Sequence, residues 1–173
     1  MAHAPPSLKA RALQWLAQRE HSPVELRRKL LRLARQRAAE QAAEQPADEG
    51  DDEADPAPAI DAVLDWLVVN RYLSDARFVE SRVNARGARY GNLRIRQELS
   101  QHGASLDAAT AERLKESELT RARAVWARKY GGAPAPMAAE RARQMRFLAG
   151  RGFSADIVRR VVRGGDSEPD ESN

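Results

Sequence analysis

Residues 72–103 read YLSDARFVESRVNARGARYGNLRIRQELSQHG, and the punctuation of this stretch decides the fold. Ser74-Asp75 is a capped helix start. Arg82, Arg86 and Arg89 follow at spacings of four and three, which puts three guanidiniums on one helix face. Tyr90-Gly91-Asn92 breaks that helix. LRIRQEL then opens a second one with Ile95 and Leu99 inward, and Gly103 stops it as a left-handed residue just past the end. Like charges gain nothing in water by sharing a face. The stripe is either a solvated surface or a contact for an anionic partner, and the flanking chain has to decide.

Working outward, every neighbouring segment carries helical periodicity. Downstream, Ser105 is read as the cap of a third helix bearing Leu106, Ala109 and Leu114. A new group starts near Glu118, with Leu119, Ala122, Val125 and Trp126 inward. Residues 131–136, GGAPAP, break the chain, and a helix from Met137 to Arg151 ends at Gly152. Ser154 caps the last helix, which carries Ile157, Val158, Val161 and Val162. Upstream, Ser7 caps a helix with Leu8, Ala12, Trp15 and Leu16. Ser22, Pro23 and Glu25 form a capping-box start for the next, which turns Leu26, Leu30 and Leu33 inward and Arg27, Arg28, Lys29 and Arg32 outward. A third helix is predicted from Ile60 to Asn70. No stretch alternates as a strand requires, so the predicted class is all-α.

The groups repeat. Leu99-x3-Gly103-Ala104-Ser105-x-Asp107 recurs as Leu148-x3-Gly152-Phe153-Ser154-x-Asp156, a constant offset of 49 residues. A stop glycine followed two residues later by a cap makes a tight corner between helices. Leu30 is the corresponding leucine upstream, displaced by a further 20 residues that match an acidic insertion. The expected organisation is three tandem three-helix repeats at 7–70, 71–117 and 118–163, stacked as a curved, elongated array. Residues 1–6, an acidic loop at about 45–58 and the acidic tail 164–173 are expected to be disordered.

Charge is segregated in the same way. Of the 25 acidic residues, eight fall between Glu40 and Asp55 and four between Asp166 and Glu171. Setting these twelve aside leaves 29 basic residues against 13 acidic, a balance of +16 for the folded part. Such a field favours an anionic partner, with nucleic acid ahead of a membrane surface because no strongly apolar amphipathic face accompanies it. The chain has no cysteine, hence no disulfide or thiolate metal site. No apolar run spans a bilayer and the N-terminus lacks the apolar core of a signal peptide, so a cytoplasmic location is expected.

These stretches resemble the RecX family, regulators of the bacterial RecA recombinase. The family carries a leucine-arginine-lysine-leucine second helix, here 22–30, SPVELRRKL. Its glycine-tyrosine-leucine-aspartate junction is here 71–78, RYLSDARF, and its isoleucine-arginine-x-glutamate-leucine helix is here 93–99, LRIRQEL, closed by Gly103. The third repeat matches through Arg146-Phe147-Leu148 and Arg151-Gly152-Phe153-Ser154. One departure is plain: the long acidic insertion replaces a short corner in the first repeat. The resemblance implies three helical repeats and no enzymatic activity or cofactor. It also implies that the chain binds RecA filaments on single-stranded DNA and limits their growth, ATP hydrolysis, strand exchange and coprotease activity.

The contact candidates for RecA or DNA form three patches. The first is Arg82, Arg86, Arg89 and Tyr90 with Arg94 and Arg96, of which at most one joins the stripe because two residues subtend about 200° on a helix. Tyr90 either stacks on a base or fills its junction. The second is Arg27, Arg28 and Lys29, whose alternative is an ordinary exposed helix face. The third is Arg128, Lys129, Arg146 and Arg151, within a segment made basic by Arg121, Arg123, Arg141 and Arg143 as well. Trp15, Trp66 and Trp126 read as core anchors. His3, His21 and His102 have no carboxylate or histidine at metal spacing, and no catalytic arrangement is present. A monomer is expected. A helix-turn-helix transcriptional regulator is the competing reading, although the arginines are spread over several helices rather than gathered at one recognition helix.

Overall fold

Caps set the register of the helices. In the computed structural model, which describes residues 5–44 and 55–163, Ser7 accepts the Ala10 N–H at 3.1 Å and Ser22 that of Glu25 at 3.1 Å. Ser74 accepts the Arg77 N–H at 3.4 Å, and the Ser154 carbonyl takes the Val158 N–H at 2.9 Å. All four starts fall where the sequence puts them. The described residues form eight α-helices and no strand: α1 (Leu8–Gln18), α2 (Pro23–Glu44), α3 (Ala57–Val69), α4 (Asp75–Gly87), α5 (Asn92–Gln101), α6 (Ala108–Tyr130), α7 (Ala138–Gly150) and α8 (Ala155–Arg163). The all-α class holds.

Three expectations need correcting. Nine helices become eight because the last helix of the second group and the first of the third are one, α6. Nothing between Ala108 and Tyr130 is glycine or proline, so no residue stops the helix at Glu118. The start of α6 also moves from Ser105 to Asp107. The Asp107 carboxylate accepts both the Thr110 N–H at 2.6 Å and its hydroxyl at 3.1 Å, and these bonds hold its pKa below the usual carboxylate value. Thr110, rather than Ala109, is the buried residue of its first turn. Finally, α3 begins at Ala57, three residues before Ile60. Asp55 accepts the Ala57 N–H at 3.0 Å, and Pro58 sits in the first turn, where a missing N–H costs nothing. Most of the segments expected to be disordered (1–4, 45–54 and 164–173) lie outside the described residues. Glu40, Glu44 and Asp55 belong to the described chain, so its formal charge is +13 rather than +16.

The chain divides into two compact units, the first ending at Phe78 and the second beginning at Val79. The core of the first is Ala12, Leu26, Leu30, Ile60, Leu64, Leu67 and Leu73. Each buried leucine or isoleucine contributes about 1.5–3 kcal/mol by leaving water. Trp15 and Trp66 pack at the edge of this core rather than inside it. Lys29 Nζ lies 4.1 Å from the centre of the Trp15 ring, and Lys9 Nζ 3.1 Å from that of Trp66. His21 is fully buried with Nδ1 3.2 Å from Glu25. Glu25 is a carboxylate neighbour after all, since four residues is about one helical turn. Burial lowers the His21 pKa, against the opposing pull of Glu25. In the second unit, α6, α7 and α8 close on Ala122, Val125, Trp126, Leu148, Phe153, Val158, Val161 and Val162. Trp126 is a true core residue there, with Nε1 donating to Gln144 at 3.0 Å.

The repeat is written in the backbone. The Ala104 N–H bonds the Leu99 carbonyl at 3.0 Å and Gly103 that of Ser100 at 3.0 Å. Exactly 49 residues on by sequence, Phe153 bonds Leu148 at 3.3 Å and Gly152 bonds Ala149 at 2.9 Å. Gly103 (φ 68°) and Gly152 (φ 80°) supply the left-handed residue these corners need. The same pair of bonds closes α3, from Tyr72 to Leu67 at 2.9 Å and from Arg71 to Val68 at 3.0 Å, but here the left-handed residue is Arg71 (φ 61°). A side chain in that conformation costs about 1 kcal/mol. Arg71→Gly is therefore expected to raise the stability of the first unit by about 0.5–1 kcal/mol, read as a higher urea midpoint at unchanged slope. A lower midpoint would mean that the arginine side chain makes up more than the strain.

Candidate functional site

Two corners meet within the second unit. The α4–α5 corner donates its Gly91 N–H to the Arg151 carbonyl at 2.9 Å, and the Leu93 N–H reaches the Gly152 carbonyl at 3.0 Å. Helix α5 thus spends N-terminal donors that have no partner within the helix on the α7–α8 corner. The approach is too close for side chains. A Cβ on Gly91 would stand 2.2 Å from the Gly152 carbonyl oxygen, and one on Gly152 would stand 2.6 Å from the Arg94 backbone nitrogen.

Beneath the corners lies a buried polar network that no motif in the sequence announces. Glu118 is 5 % exposed, and its carboxylate accepts the Asn92 N–H at 3.0 Å. It also accepts the Ser154 N–H and hydroxyl, each at 3.4 Å, so one carboxylate serves the first turns of α5 and α8 together. Asn92 in turn donates to the Leu114 carbonyl at 3.1 Å. Arg121 gathers the rest, donating to the carbonyls of Gly87 (3.2 Å), Tyr90 (2.8 Å) and Leu114 (2.9 Å) and to the side chains of Asn92 and Ser117. Burial lowers the Arg121 pKa, and the neighbouring Glu118 charge opposes that shift. In the sequence Arg121 is one of the residues that make the third segment basic. In the fold it is a strut that fixes the corner carrying Arg89 and Tyr90.

On this support sits an open groove of about 510 Å³. The α4–α5 corner contributes Arg89 and Tyr90, α6 contributes Val125, Arg128 and Lys129, and the end of α7 contributes Phe147 and Arg151. Five sequence-derived candidates therefore converge, although they are spread over more than 60 residues of chain. Arg128, Lys129 and Arg89 are exposed, whereas Tyr90, Phe147 and Arg151 are half-buried. Around the Tyr90 ring stand the guanidiniums of Arg94 (5.2 Å), Arg86 (5.6 Å) and Arg151 (5.9 Å). Lys129 (4.0 Å) and Arg151 (4.6 Å) lie over Phe147, which meets Tyr130 edge-on at 5.4 Å. The Tyr90 carbonyl accepts from Arg121, and its ring lines the groove.

The other candidates are placed differently. Glu98 pairs with Arg86 at 2.9 Å and reaches Arg94 at 3.7 Å, so Arg94 is the member of its pair that joins the stripe. Arg96 and Arg146 are exposed outside the groove, and Arg82 is half-buried on α4. In the first unit, Arg27 forms a two-pronged bond with Asp61 at 2.7 and 3.0 Å, which raises the arginine pKa and lowers that of the carboxylate. Lys29 lies over Trp15, and desolvation lowers its pKa. Arg28 is the most open residue of that patch to solvent. Arg141 is spent on the carbonyls of Ala135 and Pro136. Among the described residues no three potential metal ligands assemble, and no helix is long and apolar enough to cross a membrane.

Residues 74–111 match the family described as RecX, second three-helix domain, and residues 116–162 match RecX, third three-helix domain. The regulatory protein RecX of Ralstonia nicotianae is 44% identical over 171 residues, covering 98% of this chain and 94% of that one. That of Leptothrix cholodnii is 46% identical over 169 residues, covering 96% and 94%. A crystal structure of RecX from Lactobacillus salivarius superposes with a TM-score of 0.61 at 18% identity, covering 91% of this chain and 93% of that chain, a likeness of fold.

Proposed function

The chain belongs to the RecX family of regulatory proteins, an all-helical repeat array and not an enzyme family, and from that premise we propose that it restrains the RecA recombinase. In this reading it binds the filament that RecA forms on single-stranded DNA and limits filament growth, ATP hydrolysis, strand exchange and coprotease activity. The observation that carries the reading is the groove of the second unit, where cations from three separate segments line one open surface. Cations so placed suit an acidic protein face or a phosphate backbone, and either contact weakens as salt rises.

The test is RecA ATP hydrolysis on single-stranded DNA, titrated with this protein. Wild type is expected to suppress hydrolysis at substoichiometric amounts. A variant with Arg89→Gln, Arg128→Gln and Lys129→Gln is expected to need roughly ten- to hundredfold more protein for the same suppression, with an unchanged thermal midpoint. These three side chains are exposed, so their loss should not disturb the core. A wild type without effect on RecA would sink the reading, and a variant as potent as wild type would move the contact face elsewhere.

A further inference from the structure

Charge does not explain the rings of the groove. A duplex backbone needs only the cations, since its stacked bases offer no free face to an aromatic side chain. Here Tyr90 and Phe147 are set at groove level, and the Arg151 guanidinium lies near both, 5.9 Å from one ring and 4.6 Å from the other. Interleaved rings and cations are what an unpaired nucleotide uses: the base stacks and the phosphate pairs. One donor is also left over. Arg151 Nε is buried and has no hydrogen-bond acceptor, while the same side chain makes only a long bond, 3.4 Å, to the Arg89 carbonyl. A phosphate oxygen would satisfy that donor as the guanidinium turned toward it. The residues lining the groove include no carboxylate to repel a phosphate.

We propose that this groove binds single-stranded nucleic acid directly, with an unpaired base stacked against Tyr90 and Phe147 and the adjoining phosphates held by Arg89, Arg128, Lys129 and Arg151. The proposal rests on the same site as the RecA reading but requires no RecA, so the two stand or fall by separate measurements. Rings that only fill space would leave binding indifferent to aromaticity. Rings that stack make it depend on the ring and not on the hydroxyl.

The experiment uses the full chain alone, a labelled oligothymidylate, a duplex of equal length, and a strand carrying 2-aminopurine. Wild type is expected to prefer the single strand and to quench 2-aminopurine, which reports stacking. Tyr90→Leu should weaken single-strand binding about five- to hundredfold while leaving its salt dependence unchanged, and Tyr90→Phe should bind as wild type. Lys129→Gln should instead lower the slope of log affinity against log salt by about 0.7. Phe147 packs on the core beside Tyr130, so Phe147→Leu is interpreted only if it keeps the wild-type melting temperature. The quenching of wild type needs no variant at all. Equal or tighter duplex binding, absent quenching, or a Tyr90→Leu protein with undiminished affinity would each overturn the proposal. Single-strand binding with these signatures but no effect on RecA would leave it standing and remove only the RecA reading.

Discussion

Gly152→Ala is expected to cost the second unit about 3–4 kcal/mol, among the largest losses available from one methyl group in this chain. Two separate effects add there. The residue sits at φ 80°, where a Cβ is strained, and the new atom would lie 2.6 Å from the Arg94 backbone nitrogen. Gly131→Ala isolates the first effect: Gly131 has φ 76°, but nothing lies within 4 Å of its Cβ, so about 1 kcal/mol should be lost. Gly91→Ala isolates the second. Its φ of −80° suits any residue, yet its Cβ would stand 2.2 Å from the Gly152 carbonyl oxygen. Backbone cannot rotate away as a side chain can, so the corners would have to part, breaking the bonds from Gly91 and Leu93. Urea denaturation of the three variants measures each term. A Gly152→Ala protein no less stable than Gly131→Ala would mean that the corners are not packed this closely. Parting them would also separate Arg89 and Tyr90 from Arg151, so single-strand affinity should fall with stability.

The contrast among these corners shows what was legible beforehand. Gly103 and Gly152 announce themselves, because a glycine followed by a helix cap has few other uses, and the 49-residue offset exposed the repeat. Arg71 occupies the same left-handed position at the end of α3 and was invisible, since arginine is seldom found there. The fused helix α6 was missed for the opposite reason. Strict repetition argued for a boundary near Glu118, whereas the local sequence held no stop. The site divides the same way. Its cations could be read one by one, but their gathering depends on which corners touch, and a long-range contact leaves no periodic trace. Glu118 did leave one. Thr110, Leu114, Glu118, Ala122 and Val125 follow at spacings of four, four, four and three, and all are buried. A carboxylate on an inward stripe signals a buried polar partner, a signal hidden when Glu118 is taken only as the start of a new group.

That carboxylate supplies the second large effect. Glu118→Ala is expected to destabilise the second unit by about 3–5 kcal/mol, because it strips the partner from the Asn92 and Ser154 N–H groups in a buried site and leaves the Arg121 cation without its compensating charge. Glu118→Gln keeps one oxygen at the same reach and should lose only about 1–2 kcal/mol. Arg121→Ala acts on the same junction from the other side. It leaves the carbonyls of Gly87, Tyr90 and Leu114 without its guanidinium and frees the corner that carries Arg89 and Tyr90. Since both side chains converge on Asn92, the double variant should be more stable than the two single losses imply, by well over the roughly 0.5 kcal/mol within which independent sites add. Strict additivity would show that the two do not act as one network. Arg121 does not line the groove, so weakened nucleic-acid binding by Arg121→Ala under conditions where it remains folded would have one route open to it. The buried network, by holding two corners in register, sets the spacing of the rings and cations above it.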